Sequence, residues 1–561
     1  MANIKGRKVR VVIDGEQQLI IRPTFVENLV FFLRYQVWHM YGRYFMWNFA
    51  GRQNDKQGHG GLLDGNWLSG IRFIDEWRLG PQINLPQHIA GHPARNTYYS
   101  LPLLVGLAGM FYHYRKRKSD FTVILLLFFF TGLAIIIYLN QYPMQPRERD
   151  YTYAGSFMAF SVWIGMGVLA LIEWLQKILP KIFSSIAGTI ISFILVPGLM
   201  AAENLDDHNR SGRFTARDFA INYLNSTEPD SILFTHGDND TFPLWYAQEV
   251  EGIRTDVRVV VLGFLNADWY IEQMKRKKNN SPPLPISIPR HKHVDGTNDQ
   301  VPIWERTENR IDARQLIDFC VDDRDKSKAR VSGNRMIDYL PARKIGISVD
   351  AGRVIENGTV PPELRDEIVS TVNIDIEDNY LIKDQMIILD ILASNNWERP
   401  VYFTNGGTAD VMGLEDYFQM EGFAYRLVPV HTEGDFPEYG RINTSVMYDN
   451  FMNKFTWGRM NEPDVHLCFY NLQTLSILRL RHKFARLADA FTEENKFGLA
   501  VEVLDRCMEL MPTDRVKYDV MMFPVIEAYY NAGATARAQH RCLIAQHRLH
   551  PLSVYRHFKI F

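Results

Sequence analysis

Phe121 to Leu139 reads FTVILLLFFFTGLAIIIYL and contains no charged residue. A helix needs about 20 such residues to cross the roughly 30 Å of hydrocarbon in a bilayer, so this run constrains the fold more than any other feature of the chain. Three further apolar stretches accompany it: Leu101–Tyr112, Gly155–Leu175 and Phe183–Ala202. The shortest, Leu101–Tyr112, is flanked by Tyr98, Tyr99, His113 and Tyr114, the aromatic ends that favour the membrane interface. An α-helical membrane domain of four spans is therefore expected over residues 98–202. The mean hydropathy of −0.19 averages this domain with a much more polar remainder.

Lysine and arginine in short loops set orientation. Arg115, Lys116, Arg117 and Lys118 follow the first expected span, and Lys177 and Lys181 separate the third from the fourth. Both turns are expected on the cytoplasmic side. The other side then receives residues 1–97, the loop 140–154 and everything after Ala202. Lys5, Arg7, Lys8 and Arg10 open the chain with no apolar h-region behind them, so this N-terminal segment would not cross a membrane unaided. The sequence is accordingly expected to be the C-terminal part of a longer protein with further spans, or to begin at an internal methionine. The alternative is an inverted topology, which leaves the Arg-Lys-Arg-Lys cluster on the wrong face.

Composition narrows the function classes. Lys+Arg at 62 against Asp+Glu at 64 gives a net charge of −2, which provides no global basic field for nucleic acid. With 46% hydrophobic and 22% charged residues, the chain is not a disordered or low-complexity one. Cys320, Cys468, Cys507 and Cys542 are scattered without zinc-ligand spacing and read as buried thiols. The histidines at 59, 88, 92, 291 and 293 also lack ligand spacing with carboxylates and read as surface or loop residues.

Outside the membrane the pattern changes. Residues 8–22 alternate around Asp14-Gly15, a hairpin signal. Thr24 then caps a helical run rich in aromatics but interrupted by Glu27, Arg34, His39 and Arg43, which suits a helix lying along the interface or against the bundle. Strands are expected at Ser231–His236, Val257–Gly263 and Pro400–Thr404, with helices at Phe242–Val250, Ala267–Lys277 and Asp384–Ala393. Successive strand, loop and helix units indicate a soluble α/β domain with a parallel open sheet over residues 203–465. Asn279–Arg310 reads as a long loop or insertion. Phe484, Leu487, Ala488, Phe491, Ala500, Leu504 and Pro512 fit a 34-residue tetratricopeptide unit, and Ala528, Tyr529, Gly533 and Ala538 repeat its register. Residues 466–561 are thus expected to form a tetratricopeptide-like helical domain, with a plain helical hairpin as the alternative.

Three constellations carry candidate chemistry. Gly237-Asp238-Asn239-Asp240-Thr241 joins a strand to a helix, where backbone N–H groups and side-chain oxygens meet ligands. Asp238, Asn239 and Asp240 are candidate ligand or glycan contacts, and the two carboxylates could also hold a divalent cation, a weakly supported reading. A purely structural turn, with Thr241 capping the helix and Pro243 in its first turn, is the alternative. The loop Tyr142–Tyr151 places Arg147 and Arg149 at the membrane surface, where their planar forks suit a lipid-linked phosphate. Glu148 and Asp150 would instead tie them into a local salt-bridge knot. In the aromatic segment 41–55, Arg43, Trp47, Asn54 and Asp55 combine ring faces with polar groups, as sugar binding requires, although interfacial anchoring uses the same aromatics.

Three segments also carry a family resemblance. GRYFMWNFAGRQND (42–55), QPRERDYTYAGSF (145–157) and GDNDTFPLWYAQEVEGIRTDVRV (237–259) resemble the C-terminal half of glycosyltransferase family 117. These are bacterial multi-spanning proteins related to a metazoan protein O-mannosyltransferase. The resemblance implies a partial GT-C architecture in the bacterial inner membrane, with its large soluble part in the periplasm. It implies transfer of a hexose, such as mannose, from a polyprenyl-phosphate donor to protein acceptors, with no further cofactor. Arg147 and Arg149 would contact the donor phosphate. The family's catalytic carboxylate lies in an early extracytoplasmic loop that this chain does not contain, so the catalytic residue is not assigned. The alternative is a non-catalytic, membrane-anchored periplasmic scaffold that binds a partner or glycan.

Overall fold

Alternation at the N-terminus produces the expected hairpin. In the computed structural model, β1 (Arg7–Ile13) and β2 (Glu16–Arg22) pair antiparallel, with Arg7 opposite Arg22 and Ile13 opposite Glu16. The structure describes residues 5–548, except 14–15, 59, 144, 146–147, 332, 334, 405–411, 433–438, 469–470, 473–474 and 476. Asp14, Gly15 and Arg147 therefore lie outside the described residues. The chain divides into two compact units, Met1–Ser211 and Gly212–Phe561.

In the first unit, Thr24 starts a continuous helix, α1 (residues 25–49), whose central stretch Phe32–Gly42 is π-wound. The Glu27 amide donates to Thr24 Oγ1 at 3.3 Å and the Thr24 amide donates to Glu27 Oε2 at 2.8 Å, so both orphan donors are satisfied in a capping box. Phe25, Val26, Leu29, Val30, Leu33 and Trp38 are exposed on its first half, whereas Met40, Tyr41, Tyr44 and Phe49 are buried on its second. The buried half lies against the helical bundle: the Tyr41 ring is 5.3 Å from Tyr153, and Phe49 is 4.5 Å from Phe160.

The bundle contains α2 (Leu101–Lys116), α3 (Lys118–Leu139), α4 (Asp150–Leu175) and α5 (Lys181–His208). Helices α3, α4 and α5 are long and apolar enough to cross a membrane. The first expected span, α2, has 16 residues and reaches about 24 Å, because Arg117 leaves helical geometry before α3 begins. Close approach of α2 and α4 depends on glycine. A Cβ on Gly109 would meet the Trp163 carbonyl oxygen at 1.8 Å, and one on Gly167 would meet the Val105 oxygen at 2.3 Å.

Polar contacts mark the two ends of this unit. At one end Lys116 Nζ lies 2.7 Å from Glu173 Oε1, joining the basic turn to the end of α4. At the other, Gln36 donates to Asn140 and to the Gln141 carbonyl, both at 3.0 Å. There the Thr97 amide donates to Glu203 at 2.7 Å, the Tyr98 hydroxyl donates to Asn204 at 2.9 Å, and Arg52 pairs with Asp207.

The second unit is built on a six-stranded mixed sheet. Its elements are α6 (Thr215–Asn225), β3 (Ile232–Thr235), α7 (Asp238–Glu249), β4 (Arg258–Val261), α8 (Lys383–Asn395), β5 (Val401–Phe403), β6 (Phe418–Met420), β7 (Tyr425–Leu427) and β8 (Arg441–Ile442). The strand order is β8-β6-β7-β5-β3-β4. Strands β5, β3 and β4 run parallel, as the sequence pattern indicates, while β7 runs antiparallel to both β5 and β6. The expected helix at 267–277 is shorter, Asp268–Met274, and a 3-10 turn, Leu262–Asn266, links it to β4.

Four helices close the unit: α9 (Ile477–Glu493), α10 (Phe497–Leu510), α11 (Met522–Asn531) and α12 (Thr535–Arg548). The residues that suggested a repeat, among them Phe484, Leu487, Ala488, Ala500, Leu504, Ala528 and Tyr529, are buried. These helices continue the sheet's core, since Phe484 packs 4.7 Å from Phe451 and 5.7 Å from Trp457. All four cysteines are free thiols; Cys320 and Cys507 are buried, and Cys468 and Cys542 are half-buried.

Candidate functional site at the carboxyl edge of the sheet

From β3 the chain passes through α7 to β4 on one side, whereas β5 joins the other side of β3 after α8. The helices cover opposite faces. Leu233, Val259 and Tyr402 pack with Leu244 and Ala247 of α7. Ile232, Phe234, Val401 and Phe403 belong to the core that holds Ile387 and Ile391 of α8. The carboxyl ends of β3 and β5 therefore form a topological switch point, the place where open α/β sheets leave a crevice for ligands.

Asp240 closes this switch point. Its carboxylate accepts from the His236 amide at 2.9 Å, from the Gly237 amide at 2.8 Å, and from the Thr404 hydroxyl at the end of β5. Thr241 is buried and shares a hydrogen bond with Thr235 at 2.7 Å. The expectation that Thr241 caps a helix starting at Phe242 is thus corrected: Gly237 is the N-cap, α7 starts at Asp238, and Asp240 supplies the capping carboxylate from within the first turn. Asp240 is engaged by its own loop, whereas Asp238 and Asn239 are exposed at the edge. Among the described residues no group of three or more His, Cys, Asp or Glu side chains converges on a metal position.

Beside this loop runs a row of aromatic rings that the sequence reading did not single out. Phe242 stacks on Trp245 at 5.6 Å, Trp245 lies 6.4 Å from Phe264, and Phe264 lies 6.2 Å from Trp269. Phe242 is 50% and Trp269 59% exposed, so the row presents ring faces to solvent. Phe242 and Trp245 at spacing three read as the buried stripe of a helix. The clue to their exposure was that Leu244 and Ala247 already supply that stripe. Ring faces next to an exposed carboxylate and amide suit a ligand with an apolar face and hydroxyl rims. A recess of about 360 Å³ opens instead at the opposite edge between Pro229, Asn357 and Pro400. Its guanidinium, Arg426, lies 3.6 Å from Glu421, so its charge is already matched.

The membrane unit places the remaining candidates. Glu148 is buried and bonds to Arg43 and to the Tyr44 hydroxyl, with His39 Nε2 at 3.5 Å. Arg43 also donates to the His39 carbonyl at 2.9 Å and the Gly65 carbonyl at 3.0 Å, and its guanidinium lies over the Tyr44 and Trp47 rings. Burial works to raise the Glu148 pKa, but the hydrogen bonds and the Arg43 charge outweigh it and hold the carboxyl below its ordinary value. Asn54 is buried and fastens its loop, donating to Asp64 at 2.9 Å and accepting from the Gly65 amide at 3.1 Å. Asp55 lies 3.6 Å from His92. Arg43, Trp47 and Asn54 are thereby committed to holding α1 and the following loop. Arg149 is exposed, and among the described residues its guanidinium has no hydrogen bond or ion pair. Of the alternative knot of Arg147 and Arg149 with Glu148 and Asp150, Arg147 lies outside the described residues, and Glu148 bonds to Arg43 rather than to Arg149.

Residues 216–446, less than half of the chain, match a family described as TMEM260-associated domain 2. The match covers the six-stranded sheet and its switch point and stops short of α9. No curated protein and no solved structure matches the chain.

Proposed function

We propose that the chain is a membrane module of a lipid-donor glycosyltransferase, acting with a polyprenyl-phosphate sugar on protein acceptors outside the cytoplasm. The observation that carries this reading is Arg149: a planar cation left exposed at a loop between two apolar helices, while Glu148 beside it is drawn to Arg43. A lipid-linked phosphate carries its anionic group at this depth, and a guanidinium fork matches its oxygens. The resemblance of three segments to glycosyltransferase family 117 supports the same assignment. So does the aromatic row at the carboxyl edge of the sheet, which offers an acceptor glycan or sugar-bearing peptide a stacking surface.

Four traverses fit the polar contacts better than three. Residues 52, 97 and 98 bond to the end of α5, and Arg43 bonds to the loop before α4, whereas the end of α2 pairs with the end of α4 at the opposite pole. Helix α2 then runs the depth of the bundle despite its 16 residues, with a locally thinned bilayer or aromatic flanks closing the gap. The basic turn faces the cytoplasm and the large second unit follows α5 into the periplasm of a bacterial inner membrane. The α9–α12 hairpins serve as a tetratricopeptide-like docking surface.

Arg147→Ala and Arg149→Ala in the intact membrane enzyme test the proposal. Sugar transfer should fall by at least about tenfold for Arg149→Ala, consistent with loss of a charge-assisted pair, while membrane assembly is unchanged. Transfer at the native rate by both variants rejects the phosphate role. The exposed aromatic row favours a second reading, a membrane-anchored glycan-binding scaffold. In that case glycan binding is lost in Trp269→Ala, and no transfer depends on Arg149.

A further inference from the structure

One short helix of the first unit is built inside out. The helix Arg72–Leu79, RFIDEWRL, carries Phe73 and Trp77 four positions apart and therefore on one face. Their side chains are 82% and 83% exposed, more than Phe130 and Ile137 of the apolar helix α3, at 61% and 65%. Ile71 before the helix, Ile83 after it, and Leu62 and Leu63 on the preceding loop are exposed as well. A carboxylate takes the inner side. Asp75 is buried and accepts from the Ser69 amide at 2.9 Å, the Ser69 hydroxyl at 3.0 Å and the Gly70 amide at 2.8 Å. Its charge bears on Arg78 and Arg95. The Arg78 guanidinium lies 3.5 Å over the Trp67 ring and donates to the Trp67 carbonyl at 3.2 Å. A helix that faces water does the reverse, keeping its carboxylates outside and its rings inside.

The helix starts beside the end of the bundle. A Cβ on Gly70 would meet Thr97 Cβ at 2.7 Å, and the Leu68 amide donates to the Gly51 carbonyl at 2.9 Å. Thr97 stands four positions before Leu101, where α2 begins, and its amide donates to Glu203 near the end of α5 at 2.7 Å. The helix itself is about 12 Å long, so both rings stay close to the point where α2 and α5 leave the bundle. Headgroups extend about 5–8 Å beyond the hydrocarbon on each side of a bilayer. Arg72 and Glu76 pair with each other at 2.8 Å, so neither adds an unmatched charge beside the rings. Tryptophan and phenylalanine among aliphatic side chains are the residues that settle between headgroups and acyl chains.

We propose that the helix Arg72–Leu79 is an interfacial anchor, with Phe73 and Trp77 entering the bilayer leaflet at this pole, so that the partner of its exposed face is lipid at the headgroup–acyl boundary. The Asp75 contacts hold the two rings outward, and the contact of Gly70 with Thr97 ties the anchor to the start of α2. The anchor does not depend on the transferase reading and holds whichever compartment the pole faces.

The full chain, with its four native cysteines replaced, tests this in phosphatidylcholine nanodiscs. The fluorophore NBD is attached at Phe73→Cys or Trp77→Cys, side chains so exposed that a label displaces little protein, and Phe130→Cys in α3 supplies the hydrocarbon reference. Both anchor labels should emit to the blue of NBD in water. A lipid carrying a nitroxide high on its acyl chain should quench them at least about twofold, more than a nitroxide at the chain end, and aqueous iodide should have little effect. The Phe130→Cys label should rank the two nitroxides in the opposite order. Without any label, brominated phosphatidylcholine should quench a larger tryptophan intensity in the native chain than in Trp77→Phe. Quenching by iodide and not by lipid would put the rings in water and overturn the proposal. Protection from both quenchers would mean that protein covers the rings, and overturns it equally.

Discussion

Glu148 stands between two arginines in the chain and bonds to a third, Arg43, 105 residues earlier. A local reading can pair it only with its neighbours, because nothing in the residues 142–151 announces that α1 will deliver Arg43, Tyr44 and His39 to the same spot. The pair is buried on both sides, so removing one partner leaves a desolvated charge, a loss of about 3–5 kcal/mol. Glu148→Gln should therefore lower the denaturation midpoint of the detergent-solubilised chain markedly, and Arg43→Met combined with Glu148→Leu should recover most of the loss. The sign with pH follows from the depressed native pKa of Glu148. Its stabilisation is complete above the unfolded value of about 4.3 and is lost as pH falls through the lower native one. Glu148→Gln should accordingly show a shallower acid limb when its midpoint is followed from pH 6 downwards. Asp240 illustrates the same limit in the second unit. Its position in a strand-to-helix turn was legible, but its commitment to the His236 and Gly237 amides and the Thr404 hydroxyl is a tertiary fact.

At the scale of elements, the sequence was most readable where one face or one run of residues decides the outcome. The uncharged run 121–139, the alternating hairpin and the short apolar strands at 232–235, 258–261 and 401–403 all form where their patterns place them. Boundaries were less readable, since α7 gains its first turn from a carboxylate that caps from inside it and α2 ends at Arg117. Packing between helices was not readable from hydropathy, because lipid-facing and helix-facing residues are equally apolar. The glycines carry that information. Gly109→Ala should cost about 1–3 kcal/mol by forcing α2 away from the Trp163 carbonyl, whereas Gly165→Ala, which meets nothing within 4 Å, should be neutral or slightly stabilising. Thermal unfolding of the two variants in detergent, side by side, checks the contrast. If they are equally stable, the close α2–α4 approach is not what holds the bundle.

For the whole molecule, the account rests on which side of the membrane the two ends of the bundle face. The first unit gathers its polar contacts at two poles, with the basic turn and Glu173 at one and residues 52, 97, 98, 140, 141, 203 and 207 at the other. The chain leaves the second pole through Ser211 and enters the α/β unit, so the compartment of that pole is the compartment in which any ligand of the sheet edge must arrive. The most direct test is cysteine accessibility in intact cells, in a background with the four native cysteines replaced by serine or alanine. The account predicts that Ser211→Cys reacts with a membrane-impermeant maleimide added from outside, and that Ser119→Cys in the basic turn reacts only after permeabilisation. Labelling of Ser119→Cys from outside with Ser211→Cys protected would contradict it and remove the encounter with a lipid-borne sugar.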